Sequence, residues 1–345
     1  MTHTCSSVRS IYQVLYLYTA LLFSPLLSAI YAQTNSTPLK PDILGNKSFT
    51  EVYTLTAHGD DSTFIQVLFT ITNLGIEDKN AACTALIFQQ AKKAWKANEK
   101  FTPKQWTYSP APNPTLAIGS SALTVLPDRL NLRAAVGGAR IDIVLHAAFA
   151  PAKPPNTDFP KSASGKFRDF DILVPWSAAQ GTVALPGAAP QSISGFGTLD
   201  RARSVGTTRD ICRSWVTFRG HSGQEYFLAD FRLPPQKDAP AVGWIWRTAD
   251  TGPVAVQGLD IRKEPLIVDG RKSERCMISA LDGTFTIAGR EVLYRYSFVD
   301  ELGTVTGGLV KLVVGKPITA YCPATARFNG GTRPVPGILE LMTIE

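Results

Sequence analysis

The stretch STFIQVLFTITN, Ser62–Asn73, decides the fold class. Ile65, Val67, Phe69 and Ile71 share one face at period two, while Gln66, Thr70 and Thr72 share the other. Successive side chains of a strand point to opposite sides, so this alternation reads as a β-strand with one buried face. The same period recurs in ARIDIVLHA (Ile141, Ile143, Leu145), SWVTFR (Val216, Phe218), EYFLADFRL (Phe227, Ala229, Phe231, Leu233) and REVLYRYSF (Val292, Tyr294, Tyr296, Phe298). Each run is bounded by Gly, Pro, Asn or Asp, the residues that turn a chain between strands. ALIFQQAKKAWKANEK, residues 85–100, departs from the pattern. It holds good helix formers without Gly or Pro, which predicts a strand running into a short helix, with its lysines on a solvated face.

The 345 residues, 44% of them hydrophobic, are enough for a large buried core. Gly 27 and Pro 24 fit many turns rather than long helices. Some 16 to 20 strands are expected, roughly twice what one small barrel needs. The fold class is therefore all-β, with two barrel or sandwich domains in tandem.

Residues 1–32 read as a secretory signal peptide: Arg9 precedes an apolar run that Pro25 breaks, with a cut expected after Ala32. An uncleaved membrane anchor is the alternative, and the sole expected link to a membrane. Residues 33–46 are expected as a polar leader, 47–188 as the N-terminal domain and 189–345 as the C-terminal domain. The mature protein is expected to be secreted, periplasmic or in the secretory lumen. Cys5 leaves with the signal; Cys83, Cys212, Cys276 and Cys322 remain. An oxidising compartment permits disulfides, with Cys276–Cys322 the first candidate. Four buried free thiols are the equal alternative.

The net charge of +7 is not gathered into one basic run. The notable cluster is Arg201, Arg203, Arg209, Arg213 and Arg219, without aromatic–basic repeats, so nucleic acid is not an expected partner. His58, His146 and His221 lack metal-ligand spacing, and GFGTLD lacks the third Gly of a nucleotide loop, so no metal or redox cofactor is expected.

The segment DILVPWSAAQGTVALPGAAPQSISGFGTLD, residues 171–200, resembles the centre of the two-domain lipocalin-like family of carotenoid 1,2-hydratases, kievitone hydratase and fungal decalin-forming Diels–Alderases. Trp176, Gly181, Gly195, Gly197 and Asp200 match the family pattern; EVYTLTAHGDDSTFIQVLFTITNLG, WVTFRG, EYFLADFRLPP, VGWIW and GILELM resemble its flanking strands. The family Tyr is Thr198 here and the family His is Arg201. The resemblance implies two lipocalin-like (calycin) domains and a cofactor-free enzyme acting on an apolar unsaturated terpenoid or polyketide by cyclisation, isomerisation or hydration. The family Asp is implicated in catalysis, which makes Asp200 the candidate acid.

Strand parity places Thr198 and Asp200 on one face and Leu199, Arg201 and Arg203 on the other. A carboxyl in apolar surroundings has a raised pKa and can donate a proton or a hydrogen bond. Asp200 and Thr198 are thus the catalytic candidates. Trp244, Trp246, Trp215, Tyr226 and Arg213 are the ligand-binding candidates, for a hydrophobic small molecule. Two alternatives stay open: Asp200 paired with Arg203 or Arg213 as a structural junction, and a non-catalytic carrier for a lipid or terpenoid.

Overall fold

The structure, a computed structural model, describes residues 39–74, 77–89, 94–147, 151–155, 165–223, 225–236, 239–268, 271–297, 316–329 and 333–344. The signal peptide expected at 1–32, the first residues of the leader, Lys92, Lys93, Phe298 and most of the proline-rich loop at 150–166 lie outside them. Among the described residues no helix is long and apolar enough to cross a membrane.

Eleven strands form the first sheet: β1 (Phe49–Gly59), β2 (Phe64–Thr72), β3 (Asn80–Phe88), β4 (Trp95–Phe101), β5 (Trp106–Ser109), β6 (Thr115–Ile118), β7 (Ser121–Val125), β8 (Leu130–Val136), β9 (Ala139–Leu145), β10 (Phe167–Ala184) and β11 (Gln191–Val205). The order is β4-β3-β2-β1-β11-β10-β9-β8-β7-β6-β5, all antiparallel where pairs are formed. The second sheet holds ten: β12 (Ser214–Ser222), β13 (Glu225–Leu233), β14 (Val242–Arg247), β15 (Val254–Gln257), β16 (Leu259–Val268), β17 (Arg271–Ala280), β18 (Phe285–Gly289), β19 (Tyr294–Tyr296), β20 (Pro317–Phe328) and β21 (Val335–Ile344). Both sheets curl into nearly closed barrels, the expected all-β tandem.

Period two fills each barrel. Ile65, Val67, Phe69 and Ile71 are buried with Leu55, Ile141, Ile143 and Leu145 in the first. Val216, Phe218, Phe227, Ala229 and Phe231 are buried with Ile278, Phe285 and Leu339 in the second. Each such side chain contributes about 1.5–3 kcal/mol on leaving water. The outer faces of β1, β2 and β11 do not meet solvent as a polar face commonly does. Phe64 and Gln66 are as buried as their inward neighbours, because the second barrel covers them.

Four expectations are corrected. β11 pairs with both β1 and β10, so the first sheet runs to Val205 and the changeover to the second lies between Val205 and Ser214, not at 188/189. The 33–46 leader is not simply polar: Leu39 is fully buried in the first barrel and Ile43 packs against that core. The described residues of the 85–100 segment supply the end of β3 and most of β4, with no helix among them. Trp95, Ala97 and Phe101 pack on the core at period two, and pairing with β3 outweighs local helix propensity. Of REVLYRYSF, only Tyr294–Tyr296 pairs as a strand; Val292 is exposed.

The disulfide expectation also yields. Cys83, Cys212, Cys276 and Cys322 are all buried, and none of them forms a disulfide. Cys276 lies on β17 and Cys322 on β20, and β18 pairs between those strands. Two strand steps of roughly 4.8 Å each exceed the Cα separation of about 4.4–6.8 Å that a bridge tolerates.

Candidate functional site

A cavity of about 360 Å³ lies between the outer faces of the two barrels. Strand alternation delivers its walls. β11 sends Leu199 into the first barrel and Asp200 and Ala202 outward; β12 sends Val216 and Phe218 into the second and Trp215, Thr217 and Arg219 outward. β2 contributes Gln66, β20 Tyr321 and β21 Glu340.

Asp200 is 5% exposed. Arg219 Nη2 donates to its Oδ2 at 2.8 Å, and Arg219 Nη1 donates to the carbonyls of Phe218 (3.1 Å) and Ala229 (3.0 Å). Asp200 Oδ1 and the neighbouring Thr198 Oγ1 have no hydrogen-bond partner among the described residues. Burial pushes the Asp200 carboxyl up, and the Arg219 charge pulls against it. Glu340 is raised by burial as well. Its contacts are neutral and long: Gln66 Nε2 donates at 3.3 Å and Thr217 Oγ1 at 3.4 Å, with the Tyr321 hydroxyl at 3.3 Å. Tyr321 donates at 2.9 Å to Gln66 Oε1, which ties the two barrels together. The cavity therefore holds two buried carboxyls in different settings: Asp200 is hydrogen-bonded to the Arg219 guanidinium, while Glu340 is held by neutral groups and feels that charge only from a distance. Such a pair can divide the roles of base and acid.

Of the candidates read from sequence, Asp200 and Trp215 line the cavity. Trp215 Nε1 donates to Asp230 Oδ2 at 2.9 Å. Thr198 is buried on the Asp200 face but outside the lining. Trp244 and Trp246 pack with Phe170, Ile172 and Leu228 in the junction rather than forming a pocket wall. Tyr226 stacks on Trp176 at 5.0 Å across that junction, also away from the cavity. Arg213 is exposed and does not line the cavity. Asp200 pairs with Arg219, not with Arg203 or Arg213. Arg203 instead pairs with Asp42 and Asp169, and Arg201 with Asp171.

Glu340, Gln66, Tyr321 and Arg168 line the cavity and were not singled out from sequence. The signal for Gln66 was its place on the polar side of its strand. Glu340 stands alone among apolar residues in GILELM, another weak sign.

His58 sits at one end of the junction, 5.0 Å from the Phe64 ring and 6.1 Å from the His221 ring. Burial, with Arg219 and His221 nearby, lowers its pKa to about 3. The unfolded chain takes up that proton near pH 6.5 and the folded one does not until about pH 3, so stability is lost as pH falls through that window. At pH 5 this group costs about 2 kcal/mol. The raised carboxyls of Asp200 and Glu340 act in the opposite sense, so the test is a difference. Urea midpoints of His58→Gln are expected to fall less between pH 7 and pH 5 than those of the parent. Equal slopes would contradict the burial of a neutral imidazole.

The fold is thus two nearly closed β-barrels in tandem, with the cavity between them. No protein-family model matches the chain, and no curated protein matches its sequence. Solved structures match it in fold. CghA with Sch210972 aligns with TM-score 0.59 and 10% identity, over 87% of this chain and 89% of that one. A putative AttH from Nitrosomonas europaea aligns with TM-score 0.62 and 11% identity, over 89% and 98%. Kievitone hydratase from Nectria haematococca aligns with TM-score 0.53 and 11% identity, over 90% and 94%. At such identities the architecture is what is shared.

Proposed function

We propose that the protein is a cofactor-independent enzyme that binds an apolar, unsaturated metabolite of terpenoid or polyketide type between its barrels. It cyclises, isomerises or hydrates that metabolite. The observation that carries the reading is the Asp200 carboxyl, buried in the wall of a cavity with one oxygen unpartnered and its pKa raised. A carboxyl in that state can protonate an alkene or hydrogen-bond a carbonyl, and the cavity supplies orientation. Glu340 across the site offers a second proton carrier. The fold likeness to a hydratase supports the class without naming a substrate. Export rests on the residues 1–32 reading and belongs to the same proposal.

The salt bridge to Arg219 favours a second reading, in which the cavity only carries its ligand and Asp200 is structural. The test separates them. Purified protein is incubated with fractionated terpenoid and polyketide metabolites, and consumption is followed by liquid chromatography and mass spectrometry. Asp200→Asn keeps an acceptor for Arg219 and is expected to lower turnover by about 10²–10⁴-fold with ligand still bound. Turnover at the parent rate, or recovery of the ligand unchanged from both proteins, would leave the carrier.

A further inference from the structure

Arg168, on β10 opposite Ser204 of β11, is 8% exposed and lines the same cavity. It makes no hydrogen bond and no ion pair with any described residue, and its Nε is a buried donor without an acceptor. The neighbouring arginines Arg219 and Arg232, by contrast, each have a carboxylate within ion-pair distance. Arg219 has Asp200. Arg232 Nε lies 3.1 Å from Asp230 Oδ1, whose Oδ2 accepts from Trp215. Glu340 is engaged by Gln66, Thr217 and Tyr321. What Arg168 does have is a shelf: its guanidinium lies 3.2 Å over the Trp215 ring. Stacking fixes the plane of the fork and leaves its edge available.

The charges of Asp230 and Glu340 act on Arg168 from a distance, but a guanidinium taken out of water without an anion hydrogen-bonded to it is costly, and natural proteins rarely keep one unless something else supplies that partner. The cost is visible in its pKa, pushed down to about 9 by burial and by the neighbouring Arg232. The cavity it lines also has apolar wall: Val52, Leu68, Phe170, Ile338 and Met342 contribute to it. An inorganic anion satisfies the charge but not these surfaces.

We infer that the ligand of this cavity is an apolar organic acid, whose carboxylate accepts hydrogen bonds from the Arg168 guanidinium on its Trp215 shelf. The inference rests on the reading of the inter-barrel cavity as the ligand site. It narrows the ligand to amphipathic acids and makes Arg168 the residue that sets which end of the molecule reaches Asp200. A fork-to-carboxylate pair is directional, so the acid head is held at the Trp215 end and the unsaturated body lies across the remaining wall.

Binding tests this without knowing the natural ligand. The full chain is titrated with parinaric acid, a fluorescent polyene carboxylate, and with its methyl ester, which keeps the body and removes the charge. At neutral pH the acid is expected to bind the parent at least about ten-fold more tightly than the ester. Arg168→Gln is expected to abolish that preference by weakening the acid alone, and Arg168→Lys to retain part of it. The melting temperature of ligand-free Arg168→Gln is expected to be unchanged or higher, since an unmatched buried charge has been removed. Equal binding of acid and ester, no saturable binding of either, or a preference that survives in Arg168→Gln overturns the inference. The comparison on the parent protein needs no variant to fold. Turnover of a neutral substrate that depends on Asp200 but shows no preference for acids would remove this inference and leave the enzymatic reading standing.

Discussion

Arg219→Met is expected to destabilise the folded protein by about 3–5 kcal/mol, the largest loss foreseen for any cavity residue. The substitution removes the guanidinium 2.8 Å from Asp200 and leaves a carboxyl buried, with both oxygens unpartnered. It also removes the donor to the Phe218 and Ala229 carbonyls. The double variant Asp200→Leu/Arg219→Met is expected to recover most of the loss, because a matched apolar pair replaces a matched ionic one. Urea unfolding at neutral pH reads both. A single-variant loss below about 1 kcal/mol would mean that the pair is wetter than its burial implies. The double variant also bears on function: if it folds well but neither binds nor converts ligand, the charges are kept for the site and not for stability.

Gly195→Ala is expected to cost more than about 3 kcal/mol, or to prevent folding outright. A Cβ at Gly195 would lie 1.9 Å from the His58 carbonyl oxygen on β1 and 2.9 Å from Gly59 Cα. Both obstacles are backbone, so relief requires the β1–β11 seam to part. That seam positions Asp200 five residues further on, so any partly folded variant should also lose ligand binding. Gly252→Ala is the control. Its added Cβ meets nothing within 4 Å, and the change is expected to stay within about 0.5 kcal/mol. Far-ultraviolet circular dichroism and thermal unfolding distinguish the two. Parent-like stability in Gly195→Ala would show that β11 can shift without loss.

The same glycine explains part of the segment SISGFGTLD. Gly195 and Gly197 do not touch the ligand cavity; they let β11 run close to its neighbours, with a Cβ at Gly197 set 2.5 Å from Leu145 Cδ2. Arg201 and Arg203, which follow, pair with acids of the first barrel. Asp200, of opposite parity, looks with Ala202 and Ser204 into the cavity facing the second barrel. The concentration of Gly and Arg at mid-chain is thus a consequence of one strand serving three surroundings in turn.

Sequence by itself determined the all-β class, most of the strands, the two barrels and which residues of β11 share a face with Asp200, because period two within a segment marks a strand and its faces. It also placed Asp200 among the candidates through the Gly-x-Gly-x-x-Asp stretch. It did not determine Arg219 as the partner of Asp200, the approach of Glu340 and Gln66 from strands 274 residues apart in the chain, or the isolation of Arg168. Those depend on which outer face of one barrel meets which outer face of the other. The alternation that marks a strand says which residues share a face, and is silent on what that face will cover. Gln66 and Glu340 look like solvated polar residues until a second curved sheet closes over them. Trp244 and Trp246 look like pocket walls until the docking buries them as packing. Desolvation follows from that docking, and with it the raised carboxyls, the neutral histidine and the unmatched guanidinium on which the chemistry of the cavity rests.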